Sequence, residues 1–521
     1  MTVGCAGAMH IEQEEEEGEC LICLDRNPPP IQMRCACRKE FPLLFAEVRP
    51  IQSGCACRGA AGLAHQACRA RAAKALVLRK GSTEWWRKCQ TCHQNFTGPM
   101  RQGLADAWWQ MVRDRAEVDT ERLDAASNLA DSLLKGGKYV EAEETHRKVH
   151  AVRKRVLGAE HRDTLTAAGN LATSLAQHGK HAEAEEMERE VLAVSKQILG
   201  PNHPDTLATE SNLASSLWRQ GKYTEAEEME REVHAASKLV LGAEHRDTLA
   251  TAGNLANTFS RQGKYAEAEQ IEREVLALRK RAFGPEHPDT LKVANNLAAS
   301  LSDQGKYTEA EEMQREVHAK RKLVLGAEHP DTLLTGSNLA NTLSDQGKQV
   351  EAEVMLNEVT AMQNRVLGAE HPDTLMSTGR LAVCLHKQGK YVEAEEMQRE
   401  ALAVEQRVLG EEHPDTLLTA GNLADTVCAQ GKHAESEEMQ REVLTVQSRV
   451  LGSEHPDTLL TACRLATALS QQGKFVEAEE VQRQVHGAQT RRLGAEHPST
   501  LRTAFNLAAY TFRVHPSVLP R

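Results

Sequence analysis

Eight thiol and imidazole side chains stand at metal-ligand spacing near the start of this chain. They are Cys20 and Cys23, Cys55 and Cys57, His65 and Cys68, and Cys89 and Cys92. Thiolates and imidazoles bind zinc tetrahedrally, four to an ion, so eight such ligands predict two zinc ions. Ten of the 13 cysteines fall within the first 92 residues. In a reducing compartment, a Cys-dense segment with CxxC pairs reads as a metal site rather than a disulfide framework. Zinc would then replace a core, because structural sites in small peptides contribute about 10–16 kcal/mol. The other three, Cys384, Cys428 and Cys463, read as small buried side chains.

The order of four Cys, one His and three Cys, with the segment CACRGAAGLAHQAC from Cys55 to Cys68, resembles the RING-CH finger. The resemblance implies a cross-brace in which Cys20, Cys23, His65 and Cys68 hold one zinc and Cys55, Cys57, Cys89 and Cys92 the other. It also implies a ubiquitin-conjugating enzyme docked against Ile22 and catalysis by positioning alone. Two departures qualify it. The family usually has a Trp where Ala72 stands, and Trp85 and Trp86 either compensate or only pack on the next helix. PIQMRCACR (Pro30 to Arg38) nearly repeats as PIQSGCACR (Pro50 to Arg58). Counting from Cys37, the required His falls on Phe45, so the second copy is assigned to zinc. Residues 31–50 then read as a duplicated insertion or a gene-model artefact, with Cys35 and Cys37 as an alternative pair.

Downstream, a Gly-Lys pair recurs at 42-residue steps, from Gly137 to Gly473. A segment such as DTLLTGSNLANTLSDQ (Asp331 to Gln346) precedes each pair and one such as YTEAEEMQREVHAKRKLVL (Tyr307 to Leu325) follows it, both with apolar residues at helical spacing. Each period therefore predicts a helix A, a glycine turn and a helix B. Pro330 in the connector cannot continue the preceding helix, and Asp331 can cap the next one or favour its first turn. One pair cannot bury its own apolar face, so nine stacked pairs share a continuous core. The NLA, GKY-x-EAE and HPDT elements resemble the tetratricopeptide repeats of kinesin light chains over about 117–510. The expected fold is mainly α, a right-handed solenoid behind a small two-zinc module. Its parts are an acidic lead (1–19), the module (20–97), a linker helix bearing Trp108 and Trp109 (98–116), the repeats with a terminal half repeat (117–510) and a tail (511–521).

An Asn precedes Leu-Ala at Asn128, Asn170, Asn212, Asn254, Asn296, Asn338, Asn422 and Asn506, with Arg380 and Arg464 in the two remaining registers. In the resembled repeats this position faces the concave groove, where an amide pairs with the backbone of an extended peptide. Bonding to a neighbouring helix is the alternative. Asn257, Thr258, Asn341 and Thr342 flank the rungs and are small enough to leave room for a peptide. The connector histidines, His161 through His497, read as structural, because stacked repeats hold equivalent atoms too far apart to share an ion.

The net charge of −11 is uneven: residues 1–118 carry 16 basic and 13 acidic side chains and the rest 47 and 61. An acidic solenoid is a poor nucleic-acid binder. No run approaches the roughly 20 apolar residues of a membrane helix, and the opening MTVGCAGAMH lacks the pattern of a signal peptide. The expected location is the cytoplasm. P-loop, Rossmann and HExxH patterns are absent from the sequence. The sequence therefore predicts a ubiquitin ligase that selects its protein substrate with the solenoid, or alternatively a non-enzymatic adaptor with a structural zinc finger.

Overall fold

A computed structural model describes residues 51–52, 63–64, 66–89, 95–96 and 98–515, with backbone only at 51, 52, 63, 64, 66, 67 and 99. Its contacts divide the chain into Met1–Asp114 and Arg115–Arg521.

In the first unit, strands β1 (Ile51–Gln52) and β2 (Leu63–Ala64) pair antiparallel. Helix α1 (Gln66–Lys80), a 3-10 turn (Thr83–Trp86) and helix α2 (Gly98–Val112) follow. The helix after Gly98 thus ends four residues before the expected linker boundary. Trp86 stacks on Trp108 at 5.9 Å between ring centroids with planes 2° apart. Both rings are buried, with Met100, Leu104 and Phe96, so the unit uses its few large side chains as a small core.

The second unit is helical throughout its described length. Nine A–B pairs run from α3 (Thr120–Lys135) and α4 (Tyr139–Leu157) to α19 (Pro456–Gln471) and α20 (Phe475–Leu493), and α21 (Pro498–Val514) adds a tenth helix A. Alanines let the two helices of a pair approach closely, as Ala340 and Ala352 do at full burial, while Leu339, Leu343, Leu356 and Leu381 fill the spaces around them. The turn glycines carry positive φ, +76° at Gly137, which a side chain other than Gly or Asn adopts at a cost.

At each connector the cap differs from the expectation. His329, not Asp331, occupies the N-cap position, and its Nδ1 accepts from the backbone N–H of Asp331 at 3.1 Å. Every connector histidine from His161 to His497 does the same. Proline at the following position fixes the first helical φ, and Asp331 lends its charge to the first turn. An imidazole that accepts at Nδ1 is the neutral tautomer with its proton on Nε2. The histidines are therefore structural, in a more specific way than spacing revealed.

From Lys180 onward the Lys of each Gly-Lys pair has a partner that the repeat pattern did not expose. Lys348 Nζ lies 2.7 Å from Glu311 of the preceding helix B. Glu311 also accepts from Arg315, one turn along its own helix, and from Gln346. Lys348, against burial and together with Arg315 and Gln346, holds this carboxyl down at about 2. Similar clusters stand at Glu185, Glu227, Glu395 and Glu437. Because these pairs are half open to water, each contributes little. Replacing Glu311 by Ala is expected to lower repeat stability by about 1 kcal/mol, read as a shift of the urea midpoint that shrinks in 1 M salt.

Later repeats also rest on earlier ones. His371 Nε2 donates to the carbonyl of Lys135 at 2.9 Å, His413 to Gln177 at 3.1 Å and His455 to Arg219 at 2.9 Å, each pair 236 residues apart. Each of these carbonyls ends a helix A, where the ladder leaves it without a partner. A Cβ at Gly137 would stand 2.4 Å from Pro372 Cδ and one at Gly179 2.7 Å from Pro414 Cδ, so glycine is required there for proximity as well as for φ. His413 stacks on Tyr139 at 5.6 Å. A seam thus joins repeats 7 to 9 and the terminal half repeat to repeats 1 to 4.

Candidate peptide-binding groove

Consecutive A helices touch each other along the array, while consecutive B helices make no comparable contact. The A helices therefore form the inner, concave wall. Helical spacing puts the residue at each Asn, those four before it and those three and seven after it on one face, and this is the open side of helix A.

The rungs are not equivalent. Asn128 is 5% exposed and too enclosed to meet a ligand. Asn254 donates to Ser211 of the preceding helix A at 3.4 Å. Arg380, in one of the two Arg registers, reaches back to Asn338 Oδ1 at 2.9 Å and to Ser337, and Arg464 reaches Asn422 Oδ1 at 2.8 Å. Asn212 is open and Asn170 and Asn296 are half-buried, as is Asn506 on α21; among the described residues the amides of Asn170, Asn212 and Asn296 have no side-chain partner. Both sequence readings of the ladder therefore apply, to different rungs. Of the flanking residues, Asn257 and Asn341 face solvent, but Thr258 and Thr342 are 0% and 1% exposed. Four residues after the Asn, a side chain has turned toward helix B, and this removes them from the groove.

Along the groove the position four residues before the rung changes character. It is Thr166, Ala208 and Ala250 early in the array, then Leu334, Met376, Leu418 and Leu460. Met376 is 44% and Leu418 42% exposed. The wall thus has small residues in repeats 2 to 4 and apolar ones in repeats 6 to 9, with Lys292 between them and Arg502 after them, and the sequence signal was the change from TLT or TLA to TLL or TLM.

A second missed feature lies behind the wall. Glu188, Glu230 and Glu272 occupy one helix B position in successive repeats and are 3–4% exposed. Burial pushes each carboxyl up to about 7, against hydrogen bonds from Ser216, Thr258 and Ser300. One oxygen of each lacks a hydrogen-bond partner among the described residues. Later repeats carry Gln314, Gln398, Gln440 and Gln482 there, equally buried. Gln440 and Gln482 donate from Nε2 to the carbonyls of Gly421 and Thr503. Interchange of Glu with Gln at one register was the available sequence signal. Cys384 is buried while Cys428 and Cys463 are partly so, and burial raises all three thiols, which makes them poor nucleophiles.

Of the eight proposed zinc ligands, Cys20, Cys23, Cys55, Cys57, His65 and Cys92 lie outside the described residues, as does Ile22. Cys68 on α1 and Cys89 after the 3-10 turn are 1% and 0% exposed. Among the described residues no three potential metal ligands come together. Trp85 and Trp86 are 6% and 2% exposed. Trp86 does pack on the following helix, so these indoles offer little area to a docking partner.

A tetratricopeptide repeat profile matches eight overlapping segments from 121–197 to 415–490. Among solved structures, the kinesin light chain nearly identical TPR-like repeats of Podosopora anserina are 33% identical, over 39% of this chain and 97% of that one, with a TM-score of 0.34. BtubC (BKLC) from P. vanneervenii is 21% identical over 45% and 91%, with a TM-score of 0.35. Rap protein complexed with competence and sporulation factor is 11% identical over 76% and 99%, with a TM-score of 0.41. No curated protein matches the chain. Among the described residues no helix is long and apolar enough to cross a membrane.

Proposed function

Since the chain belongs to the tetratricopeptide repeat family, we propose that it is a protein-interaction molecule whose concave wall holds an extended segment of another protein. The observation that carries this reading is the set of unpartnered rungs Asn170, Asn212 and Asn296, followed farther along the array by an apolar strip at Met376 and Leu418. An amide offers both a donor and an acceptor to a peptide backbone, and the strip suits one or two apolar side chains of the same segment. Changing Asn212 and Asn296 together to Ala should weaken partner capture by about 0.5–1.5 kcal/mol for each hydrogen bond lost. Thermal unfolding should stay unchanged. Unaltered capture with a lowered melting temperature would make the rungs scaffolding.

We further propose that the N-terminal unit holds two zinc ions through Cys20, Cys23, Cys55, Cys57, His65, Cys68, Cys89 and Cys92, and that it recruits a ubiquitin-conjugating enzyme for the protein held in the groove. The ligand spacing supports this, and the burial of Cys68 and Cys89 suits sulfur ligands shielded from water. Zinc supplies only structure there, and the chain's own part is to bring enzyme and substrate together. The assay is autoubiquitination by the purified chain with a panel of conjugating enzymes. No product with any of them from zinc-loaded protein would favour the alternative, a cytoplasmic adaptor whose zinc module has no ubiquitin chemistry.

A further inference from the structure

We propose that the seam between superhelical turns continues from molecule to molecule: a second copy of this chain lays its free connectors on the open turns of repeats 5 to 9 of the first. Within one chain the seam is a repeated contact. A connector His donates from Nε2 to the last carbonyl of a helix A, and the adjoining Pro sits against the turn glycine. Its donors come from repeats 7 to 9 and the terminal half repeat and its acceptors from repeats 1 to 4, so a complementary set of each is left over.

The leftover acceptors are the turns at Gly305, Gly347, Gly389, Gly431 and Gly473. A Cβ built at any of them meets nothing within 4 Å, whereas at Gly137, Gly179 and Gly221 it would collide with a seam proline. Among the described residues no turn N–H bonds to the helix-ending carbonyls of Asp303, Asp345, Lys387, Ala429 or Gln471. They match the carbonyls of Lys135, Gln177 and Arg219 that the seam uses. The leftover donors are His161, His203, His245 and His287; His203 and His287 are followed by the seam's proline, Pro204 and Pro288, whereas Arg162 and Arg246 follow the other two. The side chains of His161 and His245 are 45% and 43% exposed, against 12%, 6% and 8% for His371, His413 and His455 in the seam. His329, at 8%, is engaged elsewhere and is not one of them.

Both sets repeat at the same 42-residue period, so the spacing that lets four connectors dock within a chain also fits connectors from a copy. Donors and acceptors lie on different repeats, which makes the contact heterologous. Because the seam lays each superhelical turn on the next along the axis, this heterologous contact runs on as an open chain rather than a ring. Any run of three neighbouring connectors on the five open turns must cover Gly389.

Sedimentation of the full chain over a rising concentration series tests this. The parent should show an average mass that climbs beyond 57.5 kDa and keeps climbing past the dimer. The triple variant Gly347→Asn, Gly389→Asn, Gly431→Asn should remain monomeric with unchanged helicity, since Asn tolerates a positive φ but its side chain blocks the approach of proline. From the other side, His203→Asn with His245→Asn keeps the helix caps, shortens the reach and should also suppress association. A parent that stays monomeric at every concentration would overturn the proposal. So would association that persists in the triple variant, which would move the contact elsewhere, for instance to the exposed Leu501, Phe505 and Phe512 of α21.

Discussion

At pH 8.5 the triple variant Glu188→Gln, Glu230→Gln, Glu272→Gln resists urea better than the parent, by up to about 3 kcal/mol for each site. Each of these carboxyls titrates near 7 in the folded chain, where burial disfavours the charged form, and near 4.5 when unfolded. A folded value above the unfolded one means that the native state holds protons which the unfolded state releases. The stability contributed by the protonated carboxyls is complete below about pH 4.5 and is lost as pH rises through about 7. Glutamine has the same shape, cannot ionise and already serves at Gln314, Gln398, Gln440 and Gln482. The advantage of the variant should therefore be small at pH 5, grow through neutrality and level off above pH 8. Buried histidines such as His181 and His413 resist protonation and destabilise both proteins alike in acid, so they cancel in the comparison. Because an array's stability is nearly a sum over repeats, the gain should concentrate in the melting of repeats 2 to 4. A gap that is independent of pH would show that these carboxyls are not protonated in the wall.

Replacing Cys57 by Ser should cost the N-terminal unit its second zinc ion and its fold while leaving the repeats helical. The apparent stabilisation by a structural zinc site, about 10–16 kcal/mol, exceeds what so small a unit obtains from a handful of buried side chains. Elemental analysis of the reduced parent is expected to give two zinc ions per chain, and chelation should remove both with little loss of far-ultraviolet ellipticity. Cys37→Ser should retain both ions, because the count to His65 runs from Cys57. Equal loss of metal from the two variants would place the ligands in the wrong copy of the duplicated segment. One ion or none in the parent would refute the eight-ligand set.

Helix boundaries, turns and repeat number were legible because they rest on local chemistry. Gly137 and its eight successors end helix A, Pro330 and its equivalents start the next one, and the apolar stripe repeats with the period of a helix. The Asn ladder was legible as a pattern but not as a function. Whether a rung is open at Asn212, bonded at Asn254 or claimed by an arginine at Asn338 depends on the residue 42 or 43 positions away, which lies beside it only after stacking. Of the two places the sequence left open for Asp331, the cap and the first turn, the geometry gives the cap to His329 and leaves Asp331 in the first turn.

By itself the sequence determined that residues 117–510 hold a helical array of nine pairs with a tenth helix, and it located the turns and connectors between them, though not the ends of the linker helix at Val112 and of the last helix at Val514. Those features follow from backbone preferences and apolar spacing within some 40 residues. Tertiary structure alone decided which asparagines face the groove, that burial pushes three successive glutamates up to about 7, and that connector histidines clasp turns 236 residues away. The reason is accumulation: a small rotation at each repeat interface, too slight to be read from any one repeat, adds up over six repeats until an ordinary capping imidazole meets a helix-end carbonyl that lacks a partner.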